Sequence, residues 1–99
     1  MAFVYILECN DGTFYTGSTR RDPQHREWEH NFDPRRGANY TWERRAVRLI
    51  YTEQFERIDD AYNRERQLHG WGHRKKAALI EGRIGDLKAA AKSGGDTAQ

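Results

Sequence analysis

The first apolar positions form one run, Phe3-Val4-Tyr5-Ile6-Leu7, which closes at Glu8 and meets the turn residues Asn10-Asp11-Gly12. A second short run, Thr13 to Ser18, follows. Two such runs joined by an Asx-Gly turn predict a β-hairpin, with Phe3, Tyr5 and Leu7 on one face because strand side chains repeat every second residue. Asp22-Pro23 reads as an N-cap with proline in the first helical position. The predicted helix, Pro23 to about Asn31, puts Arg26 and His30 on one face and Trp28 on another. A loop, Phe32 to Tyr40, is marked by Asp33-Pro34 and Gly37. A third strand is expected from Ala46 to Tyr51, extended to Phe55. A helix capped by Asp59 should run from Asp60 to His69 and end at Gly70. A further helix is expected from His73 to Glu81, ending near Gly82. Leu87 to Lys92 has helical propensity and Ser93 to Gln99 reads as a frayed tail. The expected order is β-β-α-β-α-α, an α/β (α+β) fold with a small, three-stranded, mostly antiparallel sheet and flanking helices. Residues 1–82 are taken as the domain and 83–99 as a C-terminal extension.

The 99 residues suit one small domain, which buries roughly 65% of its unfolded surface. The chain is highly charged, but its 12 aromatic residues and its apolar runs mark it as globular. A net charge of +2 says little about partners, whereas its distribution says more. Arg20 to Arg48 holds eight arginines against five acids, Arg64 to Lys76 five bases against Glu65, and the acidic stretch Glu53 to Asp60 lies between them. Two such basic segments can form a basic face or an ordinary solvated surface. Cys9 is the single cysteine, so no internal disulfide forms, which suits a reducing cytoplasm. No signal peptide and no stretch near the ~20 apolar residues of a membrane span is present, so no membrane role is expected.

Several residues carry candidate chemistry, each beside a plainer reading. Glu65 shares the apolar stripe of its helix with Ala61 and Leu68. A carboxylate there is costly unless paired, with an arginine such as Arg26, or bound to a hard cation such as Mg²⁺. Tyr5 and Tyr15 are ordinary strand packing residues, or phenols that position or deprotonate a water. Arg26 is a solvated helix arginine, or a fork for a phosphate that stabilises transition-state charge. His30 is a surface histidine, or orients the nucleophile. Gly17 marks a strand irregularity or a close approach beneath a site. Arg74-Lys75-Lys76 beside Trp71 can rest on a phosphate backbone, or simply decorate a helix whose Ala77, Ala78, Leu79 and Ile80 form core. One cysteine excludes a Cys₂His₂ zinc site, and neither a P-loop nor a G-x-S-x-G elbow is present.

The chain resembles the GIY-YIG nuclease family. Phe3-Val4-Tyr5 matches the first signature and Tyr15-Thr16-Gly17 the second, with Phe3 and Thr16 replacing the named glycine and isoleucine. Arg26 and His30 match the family's arginine and the histidine four residues later. GANYT (Gly37 to Thr41) and RERQLHGWGHRKKAALI (Arg64 to Ile80) resemble small standalone bacterial members. The resemblance implies a divalent-metal-dependent endonuclease that hydrolyses DNA to 3′-hydroxyl and 5′-phosphate ends. Tyr5, Tyr15, Arg26, His30 and Glu65 would be catalytic, and Glu65 would hold Mg²⁺ (or Mn²⁺). Gly17, Tyr40, Arg74, Lys75 and Lys76 would contact nucleic acid. Structured or damaged DNA, and hence DNA repair, is the expected setting. RNA stays open as a substrate, as does a protein partner or targeting subunit. The asparagine that many members carry after the glutamate has no counterpart, since none follows Asn63. The alternative is a non-catalytic nucleic-acid-binding module on the same fold; a protein-interaction module is a third reading.

Overall fold

The computed structural model describes residues 1–82. Strand β1, Ala2–Glu8, turns back into β2, Phe14–Thr19, with Tyr5 opposite Gly17 and Leu7 opposite Tyr15. The turn is built as its residue types require. Asp11 accepts from the Thr13 amide and hydroxyl at 3.1 and 2.7 Å, and Gly12 takes a left-handed φ of 85° that a side chain would disfavour.

Strand β3, Arg48–Phe55, pairs antiparallel with the other side of β1, giving the order β2-β1-β3 with an irregularity between Ile6 and Leu7. β3 begins two residues later than the expected Ala46. The Asn31 amide accounts for this: Val47 N–H donates to Asn31 Oδ1 at 2.8 Å and Asn31 Nδ2 donates to Val47 O at 3.0 Å, standing in for a strand partner.

The central strand is buried on both faces. Val4 and Ala2 pack with Ala61 and Leu68, and Ile6 packs with Tyr51 and Ile80. Tyr5 and Leu7 pack with Cys9 and Val47 on the opposite face. Burial of apolar side chains at roughly 1.5–3 kcal/mol each makes this strand the axis of stability.

Helix α1, Pro23–Phe32, starts as expected, with the Asp22 carboxylate accepting from Gln24 N at 2.9 Å and Pro23 opening the first turn. The expected loop after it contains an additional one-turn helix, α2, Asn39–Trp42. Helix α3, Ile58–His69, begins at Arg57, whose side chain reaches Asp59 at 3.3 Å and caps no backbone amide. Asp59 therefore lies in the first turn with Asp60, where the helix dipole favours negative charge, instead of capping it. Gly70 ends α3 in right-handed geometry, without the left-handed φ that a glycine cap often uses. Residues 73–82 are helical, with Ile80 buried, Leu79 partly buried and Ala78 exposed, so the apolar run there faces the core only in part. The predicted segments Leu87 to Lys92 and Ser93 to Gln99 lie outside the described residues.

Helix side chains attend both edges of the sheet. His69 Nε2–H donates to Thr16 O and His73 Nε2–H to Gly12 O, each at 3.0 Å, along the β2 side. On the β3 side the Leu49 N–H donates to Glu27 Oε2 at 2.7 Å.

Candidate active site

The hairpin register puts Tyr5, Tyr15 and Gly17 on the face that α1 covers. Both phenol rings tilt against the His30 ring, with centroids at 5.9 and 5.1 Å. A Cβ on Gly17 would lie 2.5 Å from the Tyr5 hydroxyl oxygen, so the missing side chain is what seats the Tyr5 ring. The close approach expected at Gly17 is thus made by Tyr5.

His30 is fully buried, and its surroundings dictate its proton. Arg26 Nη2 lies 3.2 Å from His30 Nε2, and a guanidinium only donates, so Nε2 is the acceptor and Nδ1 carries the hydrogen; the Ala38 N–H, 3.4 Å from Nδ1, is the longer contact and yields to it. That Nδ1–H donates to Thr41 Oγ1 at 2.7 Å, while the Thr41 hydroxyl donates to Ala38 O at 2.9 Å. The Tyr5 hydroxyl, 3.0 Å from Nε2, also donates to it. Burial, and then the Arg26 charge, draw the His30 pKa down to about 4 against the opposing pull of Glu29. Burial pushes Tyr5 up to about 12 despite Arg26. The group is therefore a neutral phenol on a neutral imidazole. Tyr15 is raised too, by burial and then by the charge of Glu65.

Arg26 is four-fifths buried. Burial lowers its pKa, but the hydrogen bond to Glu29, then Tyr5 and the charge of Glu29, outweigh this and hold it above its ordinary value. Tyr40 extends the cluster outward: its ring is 6.1 Å from that of Tyr15, and the Arg44 guanidinium sits 3.8 Å over its centroid.

Glu65 comes from α3 on the other face of the sheet. It stands between the buried Ala61 and Leu68 in sequence, yet its side chain is 23% exposed and faces the β2 edge. Ser18 Oγ donates to Oε1 at 2.5 Å and His69 Nε2 lies 3.5 Å from Oε2. The arginine-pair alternative is not what forms, because Arg26 is bound by Glu29. The Glu65 charge adds to the raised pKa of Tyr15, after burial, and slightly to that of Tyr5, so it lies near enough to act on the phenols. Among the described residues no cage of three or more His, Cys, Asp and Glu exists. The donor set still fits Mg²⁺, which accepts one carboxylate and fills its remaining positions with water and phosphate oxygen.

The basic triplet stands apart from this cluster. Arg74 and Lys75 are exposed, with Lys75 Nζ 4.3 Å over the Trp71 ring. Lys76 is only 9% exposed, and burial lowers its pKa. Sequence reasoning passed over four partners. Thr41 directly follows Tyr40, Ser18 follows the second signature, and His69 lies four residues from Glu65. Glu29, three residues after Arg26, was visible only as helical spacing.

A family model described as the GIY-YIG catalytic domain matches residues 1–78. The chain belongs to the GIY-YIG family. It is 41% identical over 81 residues to UPF0213 proteins of Staphylococcus aureus strains Mu3 and N315, covering 82% of this chain and 95% of each relative. It is also similar to the solution NMR structure of a UPF0213 protein from Bacillus halodurans. That match has a TM-score of 0.54 and 35% identity, and covers 94% of this chain and 97% of the other. GIY-YIG domains are generally endonucleases, so nucleic acid is the general class of substrate. No helix among the described residues is long and apolar enough to cross a membrane.

Proposed function

We propose that this GIY-YIG protein is a divalent-metal-dependent endonuclease that hydrolyses DNA phosphodiester bonds. The observation that carries the reading is the convergence of Tyr5, Arg26 and His30 in one hydrogen-bonded group. Tyr15 lies beside it and the charge of Glu65 reaches it around the β2 edge.

The phosphate group approaches Arg26, whose guanidinium opposes the charge that grows on the phosphoryl oxygens. The Tyr5 hydroxyl hydrogen is committed to His30 Nε2, so the Tyr5 oxygen accepts a hydrogen bond from the attacking water. As water oxygen bonds to phosphorus, the Tyr5 oxygen holds it in line and its proton leaves to solvent water, because His30, with a pKa drawn down to about 4 and Nε2 facing Arg26, stays neutral. The bond from phosphorus to the 3′ oxygen breaks, that oxygen takes a proton from solvent, and the ends are 3′-hydroxyl and 5′-phosphate. Thr41 keeps the imidazole in the tautomer whose Nε2 accepts from Tyr5 and so orients the phenol. Glu65 would hold Mg²⁺ or Mn²⁺, which when bound supplies Lewis-acid stabilisation of a phosphate oxygen. Arg74 and Lys75 are proposed contacts for the nucleic-acid backbone, and DNA repair in the cytoplasm is the proposed setting.

The test is incubation with branched, flapped, single-stranded and duplex DNA, and the matching RNAs, with Mg²⁺ or Mn²⁺ and with chelator. Metal-dependent cleavage leaving 5′-phosphate ends is expected. Binding without cleavage of any substrate would instead identify a non-catalytic nucleic-acid-binding module.

A further inference from the structure

Helix α1 carries a carboxylate that the reaction above does not use. Glu29 is 2% exposed, and an ionised carboxylate at such a place is costly unless paired. Two arginines and a histidine approach it: Arg26 Nη1 at 2.5 Å, His25 Nε2 at 3.3 Å and Arg21 Nη1 at 3.7 Å. Arg21 and His25 are half exposed, and only Arg26 reaches inward.

The consequence falls on Arg26. Its Nη1 donates both to Glu29 and to the Arg36 carbonyl, at 3.0 Å, while Nη2 is directed at His30. A guanidinium is planar, so two bonds on Nη1 and one on Nη2 fix the whole fork. We propose that Glu29 is a positioning residue for Arg26. It holds the Nη1 end, so the edge bearing Nε and Nη2 is presented to the phosphate in one orientation. The spacing Arg26, Glu29, His30 lets one helical turn carry the phosphate-binding group, its anchor and the imidazole. Glu29 also offsets part of the Arg26 charge where it faces the neutral His30. This proposal rests on the reading of Arg26 as the phosphate-binding group, and its test has one arm that does not.

That arm is NMR of arginine side chains in the ¹⁵N-labelled full chain, wild type and Glu29→Gln. Hindered rotation about the Cζ–N bonds should give the wild-type Arg26 separate Nη1 and Nη2 signals. In folded Glu29→Gln they should average, while the signals of the arginines other than Arg21, which also approaches Glu29, stay in place. Averaged Arg26 signals in the wild type, or separate ones in folded Glu29→Gln, overturn the proposal whether or not any DNA is cleaved. If Glu29→Gln does not fold, Glu29→Met, apolar and of similar length, is read in the same way. The second arm is cleavage: kcat per folded molecule should fall about 100-fold, the scale of a misplaced catalytic group, with KM changed less than about threefold. An unchanged kcat per folded molecule with a lower melting temperature would make Glu29 structural only and would also overturn the proposal. A wild type that cleaves nothing removes the function reading and leaves the NMR result to decide the clamp.

Discussion

Acid should unfasten this protein at His30 before most carboxylates titrate. The imidazole is fully buried and keeps a pKa of about 4, against 6.5 for an ordinary histidine. As pH falls below the unfolded value, the unfolded chain binds a proton that the folded chain refuses. Stability is therefore complete above the unfolded pKa and is lost as pH falls towards the folded one. For one group with these values, linkage gives a loss of about 2 kcal/mol between about pH 7 and about pH 5, rising to about 3 kcal/mol near pH 4. The assay is urea unfolding across that range on the wild type and on His30→Gln, whose side chain does not titrate. The absolute stability of the variant is immaterial, because only the change in the difference between the two proteins is read. That difference should shrink by about 2 kcal/mol from about pH 7 to about pH 5. A constant difference would show that His30 titrates alike in both states, and the neutral pair of phenol and imidazole would have to be abandoned.

Gly17→Ala places a methyl 2.5 Å from the Tyr5 oxygen; cleavage should fall about 10- to 100-fold with a stability loss of about 1–3 kcal/mol, and full activity in a kinetic assay would remove Gly17 as the seat of Tyr5. Glu65→Gln should reduce cleavage at least about 100-fold while barely moving the melting temperature, because Glu65 leans on a hydroxyl and a histidine at a partly exposed edge. A large thermal loss with unchanged activity per folded molecule would refute the metal-ligand role. Replacing Arg74 and Lys75 by alanine should flatten the salt dependence of DNA binding by about 0.9 per lost phosphate contact. Lys76→Ala should leave that slope alone and lower the melting temperature instead, because the side chain is buried.

The hairpin and the first helix were legible because local chemistry decides them. Asp11 and Gly12 set the register that puts Tyr5 and Tyr15 on one face, and Asp22-Pro23 starts α1. The start of β3 was not legible, since it depends on Asn31 taking over the backbone of Val47 from a distant helix. Glu65 read as a stripe residue because helical spacing cannot show that β2 ends where that side chain emerges. Lys76 read as surface because its neighbours in sequence are charged, whereas its burial comes from tertiary packing. Periodicity marks Glu29 as sharing a face with Arg26, but not that this face is closed over by the arginine it binds.

The histidines along β2 have a consequence for how the molecule meets other chains. A sheet of three strands offers two ledges of backbone on which a foreign strand can template. Here His69 covers the Thr16 carbonyl on the β2 ledge, His73 covers the Gly12 carbonyl in the turn before it, and Glu27 covers the Leu49 amide on the other ledge. An imidazole Nε2–H donates to a carbonyl in the neutral and the cationic form alike. The acid that strains the buried His30 therefore leaves the two imidazole contacts beside β2 in place, so loosening of the interior does not by itself bare the Thr16 carbonyl to a foreign strand.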